Sequence, residues 1–283
     1  MTNRTITHRV KGQPAVDGDG VHLVRVLGNQ TVKIFDPILM LDSFDSTNPE
    51  DYIAGFPLHP HRGIETVSYL YKGKMMHKDS TGGEDTIGDG EVQWMNAGSG
   101  IMHEERIPEA ERMLGVQMWL NLPAKDKMSK PFYLSIKNDS IQEIPFEGGM
   151  LRLLAGQYQG AQGYQAAYAP LDYYDIHLEA GGKLAVDVLE DASVMAFTLL
   201  GNVTIAGEHI EEKTAVKFSA GDRIEFEATD GDAQILFMSS KALNEPIAWM
   251  GPIVMNTQAE LEQAFKELRS DEFVKEKLEI PVE

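Results

Sequence analysis

Short apolar stretches separated by turn residues run along most of this chain, and this alternation restricts the folds open to it. Clear apolar stretches are residues 66–71, 91–95, 193–200, 215–218 and 233–238. Glycine and aspartate are frequent between them, as is typical of reverse turns. Many short strands at regular spacing favour a β-sandwich or barrel over alternating strands and helices. The sequence therefore predicts an all-β fold.

A weak internal repeat predicts two domains. In each half of the chain a strand ends at a glycine, polar turns follow and a new strand begins; the closing glycines are Gly73 and Gly201. The length of 283 residues also suits two cores of roughly 100–150 residues each. We predict one antiparallel β-barrel in residues 1–135 and a second in residues 136–283.

One helix is predicted near the C-terminus. Thr257 and Glu260 have the spacing of a capping box, in which the hydroxyl and the carboxylate each satisfy a free backbone amide. An apolar stripe at helical spacing follows, made of Leu261, Ala264, Phe265 and Leu268. We expect this stripe to pack on a barrel, and we assign the helix to the second domain.

Composition excludes several classes of function. The formal net charge of -19 disfavours a partner held through phosphate contacts, so we expect no direct nucleic-acid binding. The absence of cysteine excludes disulfides, thiolate ligands and cysteine nucleophiles. The first residues lack the apolar stretch of a signal peptide, and no apolar run approaches the ~20 residues of a membrane helix. We expect a soluble, cytoplasmic protein with no membrane partner.

Two pairs of potential metal ligands have the spacing of same-side residues on a strand. His59 and His61 are two residues apart, as are His103 and Glu105, and residues two apart on a strand share a face. Pro60 biases His59 toward extended geometry. One His-x-His pair alone is commonly a surface feature, but two pairs on neighbouring strands can converge on one ion. The spacing therefore predicts a mononuclear site of three imidazoles and one carboxylate.

The ligand types restrict the ion without identifying it. Nitrogen and carboxylate ligands without sulfur suit Fe(II), Mn, Co, Ni, Cu or Zn. Four protein ligands around an octahedral ion leave two positions open, as an oxygen-activating or substrate-chelating site requires. We expect one divalent transition metal.

Four longer motifs resemble a known family. HPHRGIETVSYLYKG (residues 59–73), HKDS (77–80) and QWMNAGSGIMHEE (93–105) resemble the pirin family of the cupin superfamily. EPIAWMGPIVMNTQAELEQAF (245–265) is similar to the C-terminal region of that family. The resemblance implies a bicupin, two antiparallel jelly-roll barrels with metal in the N-terminal barrel only.

The same resemblance implies roles for individual residues. It gives the metal ligands as His59, His61, His103 and Glu105. Cupins in general often take a carboxylate ligand from the first motif, where this chain has Glu65, four residues after His61. The pirin pattern instead takes its carboxylate from the second motif, here Glu105. We therefore expect Glu65 to lie behind the ligands or in the pocket rather than to bind the metal.

Three further sets of side chains near the motifs have less specific signals. His77 and Asp79 match the family pattern and are possible pocket residues, although a solvated strand face explains them equally well. Arg62 is expected to form a salt bridge. Five large side chains are expected in the barrel core rather than on substrate: Trp94, Met95, Met102, Met118 and Trp119.

The implied activity is cleavage of the flavonol quercetin by dioxygen with release of carbon monoxide. Fe(II) is the ion we expect first. Glu105 is the first choice for the base that deprotonates the substrate's 3-hydroxyl, and Glu65 is the second. The alternative is a metal- or redox-dependent regulator that binds a protein partner, such as a transcription factor or a metabolic enzyme. The motifs do not predict the native metal, the physiological substrate or the oligomeric state.

Overall fold

The computed structural model describes residues 2–276, which fold mainly into β-strands. The strands of the first half are β1 (Ile6–Lys11), β2 (Gln13–Asp17), β3 (Val21–Leu27), β4 (Ile38–Ser46), β5 (Phe56–His61), β6 (Ile64–Lys72), β7 (Met75–Asp79), β8 (Glu84–Ile87), β9 (Glu91–Asn96), β10 (Ile101–Arg106), β11 (Met113–Asn121) and β12 (Phe132–Ile136).

The strands of the second half are β13 (Gln142–Phe146), β14 (Gly149–Ala155), β15 (Gln157–Tyr158), β16 (Ala161–Gln162), β17 (Leu171–Leu178), β18 (Lys183–Asp187), β19 (Ser193–Leu200), β20 (Val203–Ile205), β21 (Glu208–Ile210), β22 (Thr214–Phe218), β23 (Arg223–Glu227), β24 (Ala233–Ser240), β25 (Ala248–Met250) and β26 (Ile253–Met255). The α-helices are α1 (Val32–Phe35) and α2 (Gln258–Arg269), and short 3-10 turns span Pro49–Asp51, Ala124–Asp126 and Asn138–Ser140. The five apolar stretches identified in the sequence all lie in strands, which confirms the predicted all-β class.

The four larger sheets can be grouped into two sets, each with one seven-stranded and one four-stranded sheet. One set has the orders β12-β9-β6-β11-β4-β3-β2 and β5-β10-β7-β8. The other has the orders β1-β22-β19-β24-β17-β14-β13 and β18-β23-β20-β21. The recurrence of a seven-stranded with a four-stranded sheet gives the weak sequence repeat a structural basis.

Contacts divide the described chain into two compact units. The histidine unit, so named for its motifs, comprises residues 14–23, 44–137 and 244–276. The second unit comprises residues 2–13, 24–43 and 138–243. The break at residues 137 and 138 is close to the predicted division, but the two terminal segments group differently. The C-terminal segment lies in the histidine unit and not, as predicted, with the second domain.

The C-terminal helix shows why this segment groups with the histidine unit. Thr257 accepts a hydrogen bond from the Glu260 amide at 3.2 Å, and the Glu260 carboxylate accepts one from the Thr257 amide at 2.8 Å, which confirms the capping box. On the apolar stripe, Leu261 and Ala264 are buried in a cluster with β26 and Phe273. The stripe therefore finds its apolar partners within residues 244–276 and on β10, where Met102 packs against the same cluster. Among residues 2–276, no helix combines the length and apolarity needed to cross a membrane.

The interiors of the two units differ in polarity. In the second unit, apolar side chains from both sheets fill the space between them, as Ile176 and Phe237 do from one sheet and Phe226 from the other. In the histidine unit, a smaller apolar cluster includes Leu70 and Met113. The interior of the histidine unit also holds buried polar side chains of the motifs, among them His61, His103 and Glu105.

Candidate metal centre

Strand pairing brings the two predicted ligand pairs together. β5 carries His59 and His61, and β10 carries His103 and Glu105. The two strands are antiparallel neighbours, with His103 directly opposite His59. Pro60 lies between the two histidines of β5 without interrupting the strand, so both rings project to the same side.

Three histidines form a compact cluster. Their ring centroids are 4.3–5.1 Å apart, and one potential ligand nitrogen from each lies within 4.8 Å of the others. The Nε2 atoms of His59 and His61 are 3.1 Å apart. His61 and His103 are buried and His59 is half-buried. Within residues 2–276, His59, His61 and His103 are the set of histidine and acidic side chains that meets this distance criterion.

The protonation states suit metal binding. Burial, together with repulsion from the neighbouring His59, lowers the pKa of His61 to about 3. Burial also holds the pKa of His103 well below its usual value, with added repulsion from His61, His59 and His77. Both imidazoles are therefore neutral at physiological pH, and the neutral imidazole is the form that binds a metal.

Hydrogen bonds at the Nδ1 atoms of His59 and His61 determine which nitrogen of each ring faces the cluster. Nδ1 of His59 lies 2.8 Å from the carbonyl oxygen of Pro57, and Nδ1 of His61 lies 3.0 Å from that of Pro252. A carbonyl only accepts, so each Nδ1 carries the proton and each Nε2 presents a lone pair. Nε2 of His103 is buried without a hydrogen-bond partner. A divalent metal ion fits these three nitrogens.

Glu105 is buried close to these rings but is not a member of the three-histidine cluster. Its carboxylate accepts hydrogen bonds from Nε2 of Gln117, at 2.9 and 3.2 Å, and from Nε2 of Gln93. Its role as the fourth ligand therefore stays a prediction. Sequence reasoning missed both glutamines, although a lone amide inside an apolar strand, as in VQWM and VQMW, is a usable signal.

Glu65 does not face the cluster, contrary to expectation. β5 ends at His61, and the chain turns at Gly63, whose φ is +78° and whose position leaves no room for a Cβ, which would lie 1.9 Å from the Val254 carbonyl oxygen. Glu65 therefore belongs to a new strand, β6, and the alternation that links it to His61 does not apply.

The face of β6 that carries Glu65 can be identified from hydrogen bonds. Ser68 accepts a hydrogen bond from Gln117, the residue that also binds Glu105, so Ser68 is on the cluster side. Glu65 is three residues earlier and so is on the opposite side, where Trp94 Nε1 donates to its carboxylate at 3.0 Å. Burial raises the pKa of Glu65 to about 7. This position argues against Glu65 as a pocket residue and as the second-choice base, and both roles stay predictions.

His77 and Asp79 are buried rather than on a solvated strand face. Both side chains are fully inaccessible, and Nε2 of His77 lies 2.8 Å from Oδ2 of Asp79. β7 pairs with β10 so that Glu105 is opposite His77. Nδ1 of His77 lies 3.4 Å from Nδ1 of His103, on the side of that ring away from the cluster. The two residues therefore support a cluster histidine.

Among the five large side chains, Trp119 is buried as predicted and also contacts a cluster histidine. Trp94, Met95 and Met118 are fully buried, as predicted, and Met102 is half-buried. The Trp119 ring packs edge-on against His61, with centroids 4.9 Å apart. Its buried Nε1 lacks a hydrogen-bond partner.

The predicted salt bridge of Arg62 is present. Its guanidinium lies 2.8 Å from Glu267 of α2, and both side chains are largely buried. The lone histidines of the second unit have their own acidic neighbours: His177 lies 2.7 Å from Asp175, and the half-exposed His209 lies 3.7 Å from Asp230.

Comparison with known proteins agrees with this architecture. Residues 20–120 match the model of the Pirin family, and residues 173–274 match that of the Pirin C-terminal cupin domain. A pirin-like protein from Caulobacter vibrioides is 41% identical over 278 residues, which cover 96% of this chain and 100% of the relative. The chain belongs to the pirin family. Human pirin is 31% identical over 275 residues, covering 95% of this chain and 93% of that protein.

A solved structure extends the comparison to the fold. The crystal structure of quercetin 2,3-dioxygenase from Acinetobacter baumannii matches with a TM-score of 0.88 at 33% sequence identity, over 96% of this chain and 99% of that one. The resemblance to the pirin family and the predicted two-cupin fold are both confirmed.

Proposed function

We propose that this pirin-family protein is a metal-dependent dioxygenase that cleaves quercetin-type flavonols with dioxygen and releases carbon monoxide. The observation that carries the proposal is the cluster of three imidazoles, of which those of His61 and His103 are buried and neutral. The 33% identity to a quercetin 2,3-dioxygenase over nearly the whole chain supports the choice of reaction and substrate class.

The proposed ligands are His59, His61, His103 and Glu105, and Fe(II) is the proposed ion. A bound divalent metal would hold the deprotonated flavonol oxygen and dioxygen together and pass charge between them. Glu105 would reach the ion through an acceptor site that its amide partners leave open. A carboxylate offers about four such sites, and the amides of Gln93 and Gln117 make three contacts with it.

Glu105 is also the proposed base for the substrate's 3-hydroxyl. General bases act within hydrogen-bond reach of the proton that they remove. The amides of Gln93 and Gln117 hold the carboxylate in one orientation and so reduce the reorganisation needed on proton transfer. Burial of Glu105 keeps bulk water from competing for this position.

Aromatic side chains supply a surface for a flat substrate. Trp119 packs edge-on against His61, and the rings of Trp119 and Trp249 are 5.6 Å apart. We assign these two indoles to packing against the flavonol rings, since aromatic pairs at such spacing are favourable.

The test is aerobic consumption of quercetin by protein reconstituted anaerobically with Fe(II), Mn, Co, Ni or Cu, with carbon monoxide measured in the same vessel. We expect quercetin loss and carbon monoxide in equal amounts, and neither in a His103→Ala variant. Stoichiometric metal binding without turnover for any of these ions would contradict the proposal. That result would favour the regulatory alternative, which co-purification of a protein partner with and without metal would then examine.

A further inference from the structure

Each of the three clustered histidines has a polar group next to its Nδ1 atom, but these groups differ chemically. His59 and His61 each place Nδ1 against a backbone carbonyl oxygen. Behind His103 lies another imidazole, because Nδ1 of His77 is 3.4 Å from its Nδ1. A carbonyl can only accept, whereas a neutral imidazole nitrogen either donates or accepts. The tautomer of His103 therefore depends on what fixes the proton of His77.

Asp79 fixes that proton. Its Oδ1 accepts from the Thr81 amide at 2.7 Å, the Thr81 hydroxyl at 2.6 Å and the Gly83 amide at 3.1 Å. Its Oδ2 lies 2.8 Å from Nε2 of His77. A carboxylate has no proton to offer, so Nε2 of His77 must be the donor.

The direction of the remaining bond follows for the neutral form of His77. With the only ring proton of His77 on Nε2, its Nδ1 has a lone pair, and Nδ1 of His103 donates to it. The proton of His103 is then on Nδ1, and its Nε2 carries a lone pair. Nε2 of His103 is the atom that is buried without a hydrogen-bond partner.

The local packing is specific to this arrangement. A Cβ at Gly83 would lie 2.3 Å from Oδ2 of Asp79, so a larger residue there would displace the carboxylate. The ring of Tyr133 stacks on His77, with centroids 4.0 Å apart and planes 11° apart. The His77 ring is thus held in its plane by an aromatic face and along its edge by a carboxylate.

We propose that His77 and Asp79 are positioning residues that hold His103 in the tautomer able to bind metal, and that they contact neither the metal nor the substrate. The proposal rests on the three-histidine metal site described above but not on its reaction. Partners behind a metal-binding histidine typically contribute a factor of 10–100 in metal affinity.

Asp79→Asn is the decisive variant because it has nearly the same shape. The asparagine carbonyl can keep the bonds from Thr81 and Gly83, but its amide then donates to Nε2 of His77. His77 must carry its proton on Nδ1, facing His103, and His103 is driven toward the tautomer that is protonated on Nε2. We expect the affinity for Co(II) alone, measured by chelator competition at constant pH, to fall by about 10- to 100-fold.

The second unit offers a matched control. Asp175 is buried and lies 2.7 Å from Nε2 of His177, so it forms the same kind of pair away from the cluster. Asp175→Asn should leave Co(II) affinity unchanged. An Asp79→Asn protein that is folded by circular dichroism and binds Co(II) within about threefold of wild type would overturn the proposal, given the factor of 10–100 expected.

A second measurement needs no variant of Asp79. Long-range proton–nitrogen correlation spectra of the metal-free protein report the tautomer of each histidine, with His77 and His103 assigned by single substitution. We expect the proton on Nδ1 of His103 and on Nε2 of His77. A proton on Nε2 of His103 would overturn the proposal even if Asp79→Asn fails to fold. Neither readout uses flavonol turnover, so a failure of the proposed reaction would remain separate.

Discussion

The ion pair between Arg62 and Glu267 makes a quantitative prediction about stability. Arg62 directly follows His61, and its guanidinium also donates to the Phe273 carbonyl at 2.9 Å and lies 4.3 Å from the Phe273 ring. Its side chain is only 3% exposed, and Glu267 supplies the nearest negative charge. Replacing Glu267 by glutamine therefore leaves a buried cation without its counter-charge.

The expected magnitude follows from this geometry. Removing one partner of a buried pair costs about 3–5 kcal/mol, and the glutamine carbonyl beside Arg62 returns about 1 kcal/mol. We expect Glu267→Gln to lower the free energy of unfolding of the histidine unit by about 2–4 kcal/mol. Lys275 also contacts Glu267, at 2.9 Å, but is 37% exposed. Lys275→Met is the matched control and should cost less than about 1 kcal/mol.

The pH dependence gives an independent check. Burial alone would raise the pKa of Glu267, but Gln263, Lys275 and Arg62 outweigh burial and lower it to about 2. A lowered carboxyl pKa stabilises the folded state above the ordinary value near 4.5, and this stabilisation is lost as the pH falls toward about 2. The difference between wild type and Glu267→Gln should therefore be largest at neutral pH and shrink below pH ~4.5.

Tryptophan fluorescence is a selective assay for this unit. The chain has three tryptophans, and all lie in the histidine unit: Trp94, Trp119 and Trp249. Urea unfolding followed by their emission reports on that unit alone. A loss below about 1 kcal/mol in Glu267→Gln, the level of an exposed pair, would refute the reasoning. So would a difference that does not change between neutral and acidic pH.

Four further predictions follow from the site. Glu105→Gln should lower flavonol turnover by about 10²- to 10⁴-fold while metal stays bound, measured by steady-state kinetics with metal analysis; full activity would rule out the base. Glu65→Gln should leave turnover unchanged. Wild type should lose stability as the pH rises from ~4.5 to ~7, because a raised carboxyl pKa favours the folded state only while the group is protonated, and Glu65→Gln should not show this loss. Urea titrations at both pH values check this. Gly63→Ala should cost at least about 2 kcal/mol, from the left-handed conformation and the contact with Val254; a Tm equal to that of wild type would contradict it. Co(II) at about 100 times its Kd should stabilise wild type by about 2.7 kcal/mol and His103→Ala by much less, and equal Tm shifts in calorimetry would argue against the three-histidine site.

Features that depend on near neighbours in the chain could be predicted from the sequence. Strand β19 and the capping box of α2 have the predicted positions because residue pattern and turn chemistry act over a few residues. The pairing of His59 with His61 followed from the same two-residue alternation. The alternation failed for Glu65 because a turn at Gly63 interrupts the strand.

Features that depend on strand register, or on contacts between distant segments, became evident only in the tertiary structure. Gln93 and Gln117 meet Glu105 only because β9 and β11 lie in the sheet opposite β10. His77 reaches His103 only through the pairing of β7 with β10. The C-terminal helix packs in the histidine unit because its apolar partners are there, although chain order places it after the second unit. The fold class, the family and the three clustered histidines could thus be predicted from residue patterns alone. Which side chains support those histidines depends on contacts between residues far apart in the chain. Patterns of neighbouring residues do not predict such contacts.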